Sequence, residues 1–564
     1  MNMKLNKWVS LALALPLTFL SSCGDLLTET NQNPNEVDPS VANQNMIMPS
    51  IMAPAATSYL QLNFEDIAGT IQHIQHDGWI GSVNNYDWSP RDWTEYYNRL
   101  RDAELLKRSP HKFHQGVALT MRAFQYGLIA DYWGDAPYKN ALKAGEGIWK
   151  PEFDTQEDIY KGIIEELKEA AALFATGDNS GYLTNYDTYY GGDTKKWHQF
   201  ANSLLLRYYM RLSVKLPDYA KAGFEQVYAS GVYIKSSADD AAITFVGSSA
   251  NNNWPFLYYM DDSGQSQFRR KKPAKTFIDQ LVSTKDPRLT TWWAPVHVQW
   301  VADPTLTTPT DPFIRKNGQL VNGVPYLTDR ELKAQIAEGA KFTKHFNPTL
   351  YAAANNGATL DTSLFVGVPI GLFEPSEFNG NLTPGQVVEN QHASQMSDPY
   401  RYSNKPSILK SKIIHAAEVG FLLAEAAQRG WNVGDAKTHY ENAIKLSLGA
   451  WEVSDGYEDF IKQPNVAYDG TLERIITQKW VASWSCGSEA WMDFRRTGIP
   501  ALKAGISAAK PAVAVRFIYG NAEGAANTEN FNAAVDRLEQ TPFAAQKNSQ
   551  WSKPWVLQGT GKPW

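Results

Sequence analysis

What most constrains the fold of this 564-residue chain is where its helical periodicity runs and where it stops. From about Asn45 to Gly231 apolar residues recur three and four apart, the spacing of one helix face. Ile67, Ile71 and Ile74 share such a face, and Ser89-Pro90 reads as a cap with a first-turn proline ahead of Trp93, Tyr97 and Leu100. Longer stripes follow: Val117, Met121, Phe124, Leu128 and Tyr132, then Ile159, Ile163, Leu167, Ala170 and Phe174 behind Thr155 as N-cap. Trp197, Phe200, Leu204, Tyr208 and Leu212 make another. The period returns over Ser411 to Gly430, Asp435 to Leu448 and Thr471 to Trp484. There Ala417, Phe421 and Ala424 face Ala436, Tyr440 and Ala443, the small-against-large alternation of tetratricopeptide-type hairpins. Between Val232 and Ser411 the period fails, and 14 of the 30 prolines fall there. A proline-dense stretch of this length makes loops, short helices and a few short strands. The expected fold is therefore mainly α, with helical hairpins over about 45–231 and 411–500 supporting an irregular, loop-rich insertion over about 232–410.

The amino terminus reads as an address. Lys4 and Lys7 precede an apolar run from Trp8 to Leu20, too short to span a bilayer comfortably, as in a secretory signal. It ends in Leu20-Ser21-Ser22-Cys23, similar to a bacterial lipobox, which would be cleaved before Cys23 and acylated on its thiol. Residues 23–44 are rich in Asn, Gln, Asp, Glu, Thr and Pro and read as a polar tether. The remainder, 45–564, is expected to form one domain. No later run is apolar enough for a membrane span, so the chain is expected to be exported, lipid-anchored and otherwise soluble.

Composition removes several function classes. A formal charge of −6 over this length leaves no electrostatic footprint for nucleic acid. The only cysteines are Cys23 and Cys486, too few for a disulfide framework or a cysteine-ligated zinc. Cys486, on an apolar helix, reads as a buried small hydrophobe. No G-x-S-x-G elbow, P-loop or dinucleotide fingerprint occurs. His73 with His76, and His111 with His114, lack the further ligands that a zinc site needs, although Asp77 and Asp87 lie near the first pair. No metal or cofactor is expected. Glu489 and Asp493, four apart beside Arg495 and Arg496, have the spacing of an acid/base pair, but paired charges are also how such groups survive burial. The structural reading is preferred, for Glu418 and Glu425 as well, and no enzyme is expected.

Several strings identify a relative. After the lipobox come Thr30-Asn31-Gln32-Asn33-Pro34-Asn35 and Ala130-Asp131-Tyr132-Trp133-Gly134-Asp135-Ala136-Pro137-Tyr138. Asp187-Thr188-Tyr189-Tyr190-Gly191-Gly192-Asp193 leads to Lys196-Trp197, Ala201-Asn202-Ser203-Leu204 and Met210-Arg211-Leu212-Ser213. Downstream lie Ala424-Glu425-Ala426-Ala427-Gln428-Arg429-Gly430 and Glu489-Ala490-Trp491-Met492-Asp493-Phe494-Arg495-Arg496-Thr497-Gly498. In this order the strings resemble the SusD/RagB family of nutrient-binding outer-membrane lipoproteins of Bacteroidetes. The resemblance implies about four tetratricopeptide-like hairpins. It also implies a TonB-dependent outer-membrane transporter as partner, and an oligosaccharide or peptide as ligand. Fold and role carry over; the identity of the ligand does not.

The aromatic count is the compositional anomaly: 19 Trp, 27 Tyr and 24 Phe. Trp93, Trp133, Trp197, Trp480 and Trp491 fall on helical stripes or in the strings above and are expected in the core. Trp79, Tyr86 and Trp88 stand in a polar loop from Gly78 to Pro90; Trp254, Tyr258 and Tyr259 follow Asn251-Asn252-Asn253. Trp292, Trp293 and Trp300 lie in the proline-rich stretch. An open indole face stacks on a sugar ring, and Asn84, Asn85, Asp87, Asn253, Asp261 and Asp262 are placed to bond its hydroxyls. Trp79, Tyr86, Trp88, Trp254, Tyr258, Trp292, Trp293 and Trp300 are thus the expected ligand residues. Neutral loops favour an oligosaccharide over a polyanion, with Arg269, Arg270, Lys271 and Lys272 leaving an acidic sugar open. A peptide ligand and a scaffold that binds only proteins are the alternatives.

Overall fold

The computed structural model describes residues 43–78, 81–247, 254, 270–383, 390–402 and 404–564. The signal, Cys23 and nearly all of the tether lie outside them. Asn43 accepts a hydrogen bond from Asn45 N at 3.0 Å and caps helix α1, Gln44–Asn63. Five helices follow: α2 (Thr94–Lys107), α3 (Lys112–Tyr132), α4 (Gln156–Ala175), α5 (Thr194–Leu212) and α6 (Pro217–Ser230). Each packs on the one before it. Thr155 caps α4 through Asp158 N at 3.1 Å, and Asp193 caps α5 through Lys195 N at 2.9 Å. The expected stripes of α3, α4 and α5 are all buried.

Two boundaries differ from the sequence expectation. Ile67, Ile71 and Ile74 are all interior, but on a helical turn Asp66–Thr70 and then strand β1, Ile74–His76. Gln72 between them is left-handed, with φ of 59°, which ends the helix. Helix α2 starts at Thr94, not at Pro90, because Arg91 bridges in parallel to Tyr519 and holds the chain extended there.

The irregular region contributes short strands. β2 (Ala241–Thr244) pairs antiparallel with β10 (Lys410–Ile414), and β1 with β3 (Lys271–Pro273). β4 (Trp293–Ala294) pairs with β9 (Gln395–Met396). A four-stranded sheet has the order β5-β8-β6-β7, from Val298–Ala302, Phe342–Phe346, Arg315–Lys316 and Gln319–Leu320. Helix α7, Asp329–Ala337, lies between β7 and β8 and opens with a Thr328/Glu331 capping box.

Four helices complete the frame: α8 (Ala416–Gln428), α9 (Ala436–Ala450), α10 (Leu472–Ala482) and α11 (Gly487–Thr497). The expected helix from Ser411 is shorter at its start because β10 takes residues 410–414. The hairpins are α2/α3, α4/α5, α8/α9 and α10/α11, so the fold is mainly α with tetratricopeptide-like pairs. Close approach within a pair needs small residues: a Cβ at Gly420 of α8 would lie 2.9 Å from Ala443 Cβ of α9.

A chain of buried charges ties these pairs together. Arg207 of α5 bonds Glu418 of α8 at 2.8 Å, and Arg211 bonds Glu489 of α11 at 2.8 Å and Asp131 of α3 at 2.9 Å. Asp493 takes Lys479 of α10 at 2.7 Å and Arg496 at 2.9 Å, and Arg496 reaches Glu425. Burial pushes the Glu489 carboxyl up, but Arg207 and Arg211 outweigh it and hold it down at about 2. Glu489 and Asp493 are therefore engaged with cations that join the repeats, as the structural reading of that cluster expects. Arg495 donates to Asp131 O at 2.8 Å and Val515 O at 2.6 Å, fastening the segment after α11. The C-terminal aromatic segment is docked there too: Trp551 donates to Ala512 O at 2.9 Å and Trp564 to Val513 O at 3.1 Å. Cys486 is buried, and burial pushes its thiol up to about 12.

Candidate ligand face

The two-stranded ribbon of β1 and β3 gathers distant parts of the chain. Its register sets His76 opposite Lys271 and Gln75 opposite Lys272. Beyond the paired residues Asp77 N donates to Arg270 O at 3.2 Å, and the expected Asn251 to Asp262 segment lies outside the described residues except for Trp254.

Charges close the ribbon. Lys271 Nζ lies 2.6 Å from Glu65, His76 Nε2 3.6 Å from Glu65, and Lys272 Nζ 3.5 Å from Asp77. Burial pushes the Asp77 carboxyl up to about 7 against the pull of Lys272. The basic run at 270–272 is thus buried and set against carboxylates rather than presented to an acidic sugar. Beside it, Glu65, Asp66, Arg91, Glu95 and Tyr96 line a cleft of about 310 Å³, in which Arg91 pairs with Asp66 and lies 4.3 Å over the Phe517 ring.

Two further loops are bonded onto the ribbon. Gly371 N donates to Gln75 Oε1 at 2.9 Å, and Gln72 Nε2 donates to Lys503 O at 2.7 Å. Ser507 N donates to Gly371 O at 2.8 Å, joining the 369–374 and 503–508 loops. Each carries an exposed apolar side chain, Phe373 at 63% and Ile506 at 70% of full exposure. The sequence reading missed both. The signal available was a large apolar residue close behind a glycine in a segment without periodicity: Gly371-Leu372-Phe373 and Gly505-Ile506.

The expected stacking aromatics are placed differently. Tyr86, Trp88, Trp254, Trp292, Trp293 and Trp300 are all in the interior. Trp88 packs edge-on against Phe517 at 5.2 Å and Trp491 at 5.7 Å, and donates to Ser82 O at 2.9 Å. Trp254 meets Phe64 and Tyr400, each at 5.4 Å. Trp292 stacks on Phe277 at 5.9 Å, and Trp293 packs on Trp484 at 5.0 Å. Trp300 stacks on His392 at 4.4 Å and donates to Asn379 O at 2.8 Å. All six are buried, and the five tryptophans among them pack against rings from other elements, which a loop-like local sequence does not reveal. Trp79 and Tyr258 lie outside the described residues, as do Tyr259, Asn253, Asp261 and Asp262. Asn84 is occupied: it donates to His76 O at 2.8 Å and accepts from His76 N at 2.7 Å.

The histidines serve the frame. His73 is buried with Nε2 3.0 Å from Trp480 O, and burial lowers it to about 3. His114 Nδ1 meets Ser109 Oγ at 2.8 Å. Among the described residues no three His, Cys, Asp or Glu side chains gather as a metal site.

With this geometry in hand, comparison with known proteins is decisive. A family model described as starch-binding, associating with the outer membrane (SusD-like) matches residues 33–301 and 348–520. The chain belongs to the SusD-like family. An outer-membrane protein of Bacteroides vulgatus ATCC 8482, ascribed to nutrient binding, has the same fold: TM-score 0.67 at 23% identity, over 92% of this chain and 100% of that one. A SusD homologue of Bacteroides fragilis NCTC 9343 matches with TM-score 0.67 and 20% identity, over 92% and 100%. A chitin-binding protein matches with TM-score 0.64 and 22% identity, over 92% and 99%. None of the curated proteins matches. Residues 302–347 fall between the two matched ranges.

Proposed function

We propose that this SusD-like chain is a surface lipoprotein, acylated on Cys23, that binds an oligosaccharide and delivers it to a TonB-dependent outer-membrane transporter. The observation that carries this reading is the joining of the 81–90, 369–374 and 503–508 segments at and beside one ribbon on a rigid helical frame, the division of labour of recognition loops on a scaffold. Membership of a starch-binding, outer-membrane family supports a carbohydrate ligand, and the chitin-binding name of one structural neighbour points the same way. Phe373 and Ile506 supply the exposed apolar surface of this face, and Trp79 and Tyr258 remain the proposed stacking rings. No helix among the described residues is long and apolar enough to cross a membrane, so a lipid at Cys23 would hold the chain there. A binder so held cannot itself carry a nutrient across, which is why a transporter is the proposed partner. Ligand is held without turnover in this reading, because Glu489 and Asp493 are committed to cations inside the frame.

Calorimetric screening of starch, chitin and other glycan oligomers, with peptides alongside, tests it on chain lacking residues 1–23. Binding of a glycan that weakens about tenfold or more in Trp79→Ala or Phe373→Ala supports the reading, the size expected of an anchor residue. Binding of peptides alone, or hydrolysis of the glycan, refutes it. Native pull-down from cells grown on the bound glycan should recover a β-barrel transporter.

A further inference from the structure

The end of the helical frame from which the tether leaves carries a charge opposite to that of the whole chain. The turn between α2 and α3 reads Lys107-Arg108-Ser109-Pro110-His111-Lys112, within a chain of formal charge −6. Arg108 and Lys112 are exposed, and Lys107 and His111 are half-buried. None of Lys107, Arg108 and Lys112 is in an ion pair with a described residue. Asp178 is the acid that faces Lys112 and His111. Gly181 joins this turn to the start of α1. Its carbonyl accepts from Asn45 Nδ2 at 2.8 Å, and a Cβ on it would lie 2.3 Å from the His111 ring. Leu183 N donates to Asn45 Oδ1 at 2.8 Å. The basic turn, residues 181–183 and Asn43 therefore share one surface. Two apolar side chains stand out of it, Met46 at 64% and Leu183 at 49% of full exposure.

Cys23 precedes Asn43 by 20 residues. A polar tether of that length spans roughly 25 Å, so an acyl group on Cys23 brings this surface within reach of the bilayer. Helix α1 leads from the same surface to the ribbon: it ends at Asn63, and Glu65 just beyond it bonds Lys271. Its 20 residues at 1.5 Å each put about 30 Å between the two ends. We infer that the surface around the α2/α3 turn docks on phosphate-bearing lipid headgroups, seating the body on the bilayer with the loop face turned outward. Each Lys or Arg close to an anionic bilayer strengthens binding roughly fivefold, and exposed apolar side chains such as Met46 and Leu183 enter the headgroup boundary. The inference rests on the acylation of Cys23 in the reading above, which supplies the anchor beside the patch.

The test is co-sedimentation of chain lacking residues 1–23, which removes the acylation site and none of the described residues. Vesicles of phosphatidylethanolamine alone are compared with vesicles that also contain phosphatidylglycerol, at about 50 mM and about 500 mM NaCl. Wild type should bind the anionic vesicles at low salt, leave the neutral ones, and be released at high salt. Arg108→Glu with Lys112→Glu should weaken that binding about tenfold or more at an unchanged melting temperature, since both side chains are exposed. Met46→Ser with Leu183→Ser should weaken it without altering its salt dependence. Lys462→Glu, at an exposed site between α9 and α10, should bind as wild type does. The inference is overturned if wild type binds no anionic vesicle or if the Arg108/Lys112 variant binds as wild type does. It is also overturned if that variant keeps the vesicles and instead loses the β-barrel transporter in a pull-down. Retention of Cys23→Ala on membranes after a high-salt wash would refute the acylation, whereas the vesicle result, obtained without any acyl group, decides the patch.

Discussion

Replacing Glu489 by Gln tests whether the buried charge chain holds the helical pairs together. The carboxylate lies between Arg207 at 3.5 Å and Arg211 at 2.8 Å. Each arginine keeps another carboxylate, Glu418 and Asp131 respectively, so the substitution orphans neither guanidinium and removes the attraction of the carboxylate they share. Holding a carboxyl at about 2 instead of 4.5 is worth about 3 kcal/mol at 1.36 kcal/mol per pH unit. That agrees with the ~3–5 kcal/mol lost on breaking a buried pair. At ~2.1 cal/mol/K per residue over roughly 500 residues, about 3 kcal/mol lowers the melting temperature by about 3 °C. The pH dependence identifies the cause. Because folding depresses this carboxyl, its contribution is complete above about 4.5 and is lost as pH falls toward 2. Scanning calorimetry of wild type and Glu489→Gln from pH 7 to pH 3 should show a gap that narrows below about 4.5. An unchanged melting temperature at pH 7, or a gap constant to pH 3, refutes the reasoning.

Other outcomes follow from the same structure. Trp88→Ala should cost about 3–5 kcal/mol of stability, as truncating a buried tryptophan does, while the folded fraction keeps its ligand affinity. Urea unfolding with a parallel binding titration separates the two. Gly420→Val should destabilise by about 1–3 kcal/mol through overpacking against Ala443, whereas Gly430→Ala meets no neighbouring atom and is opposed only by its left-handed backbone. His73 and His392 are buried and lowered to about 3, so the unfolded chain takes up protons below about 6.5 that the folded one refuses. Stability should accordingly decline from pH 6.5 toward pH 3, and NMR should show the His73 and His392 imidazoles still neutral at pH 4.5. Cys23→Ala should move the protein from the membrane fraction into a soluble exported form; retention after a high-salt wash would refute acylation there.

The sequence by itself determined where the helices are, which face of each is buried and that the centre of the chain is irregular. Periodicity records burial directly: the stripes through Met121, Ile163 and Leu204 are all interior. The cap residue Thr155 marked a helix start because an N-cap hydrogen bond is local chemistry. The motif strings also led to the right family, since they carry the charges that join the repeats: Asp131, Arg211, Glu425 and Glu489 each stand in one of them. Tertiary structure alone decided which loop aromatics are open. A polar neighbourhood in sequence says nothing about what arrives from elsewhere: Trp88 is covered by Trp491 and Phe517, Trp254 by Tyr400, and Trp300 by His392. The strand at 410–414 and the late start of α2 have the same origin, in pairing with residues 241–244 and with Tyr519. Phe373 and Ile506 show the converse, since their loops are placed by long-range hydrogen bonds, from Gly371 N to the Gln75 side chain and from Ser507 N to Gly371 O, that no periodic pattern encodes. Local interactions and one-sided burial leave a periodic record in a sequence; contacts between segments hundreds of residues apart do not.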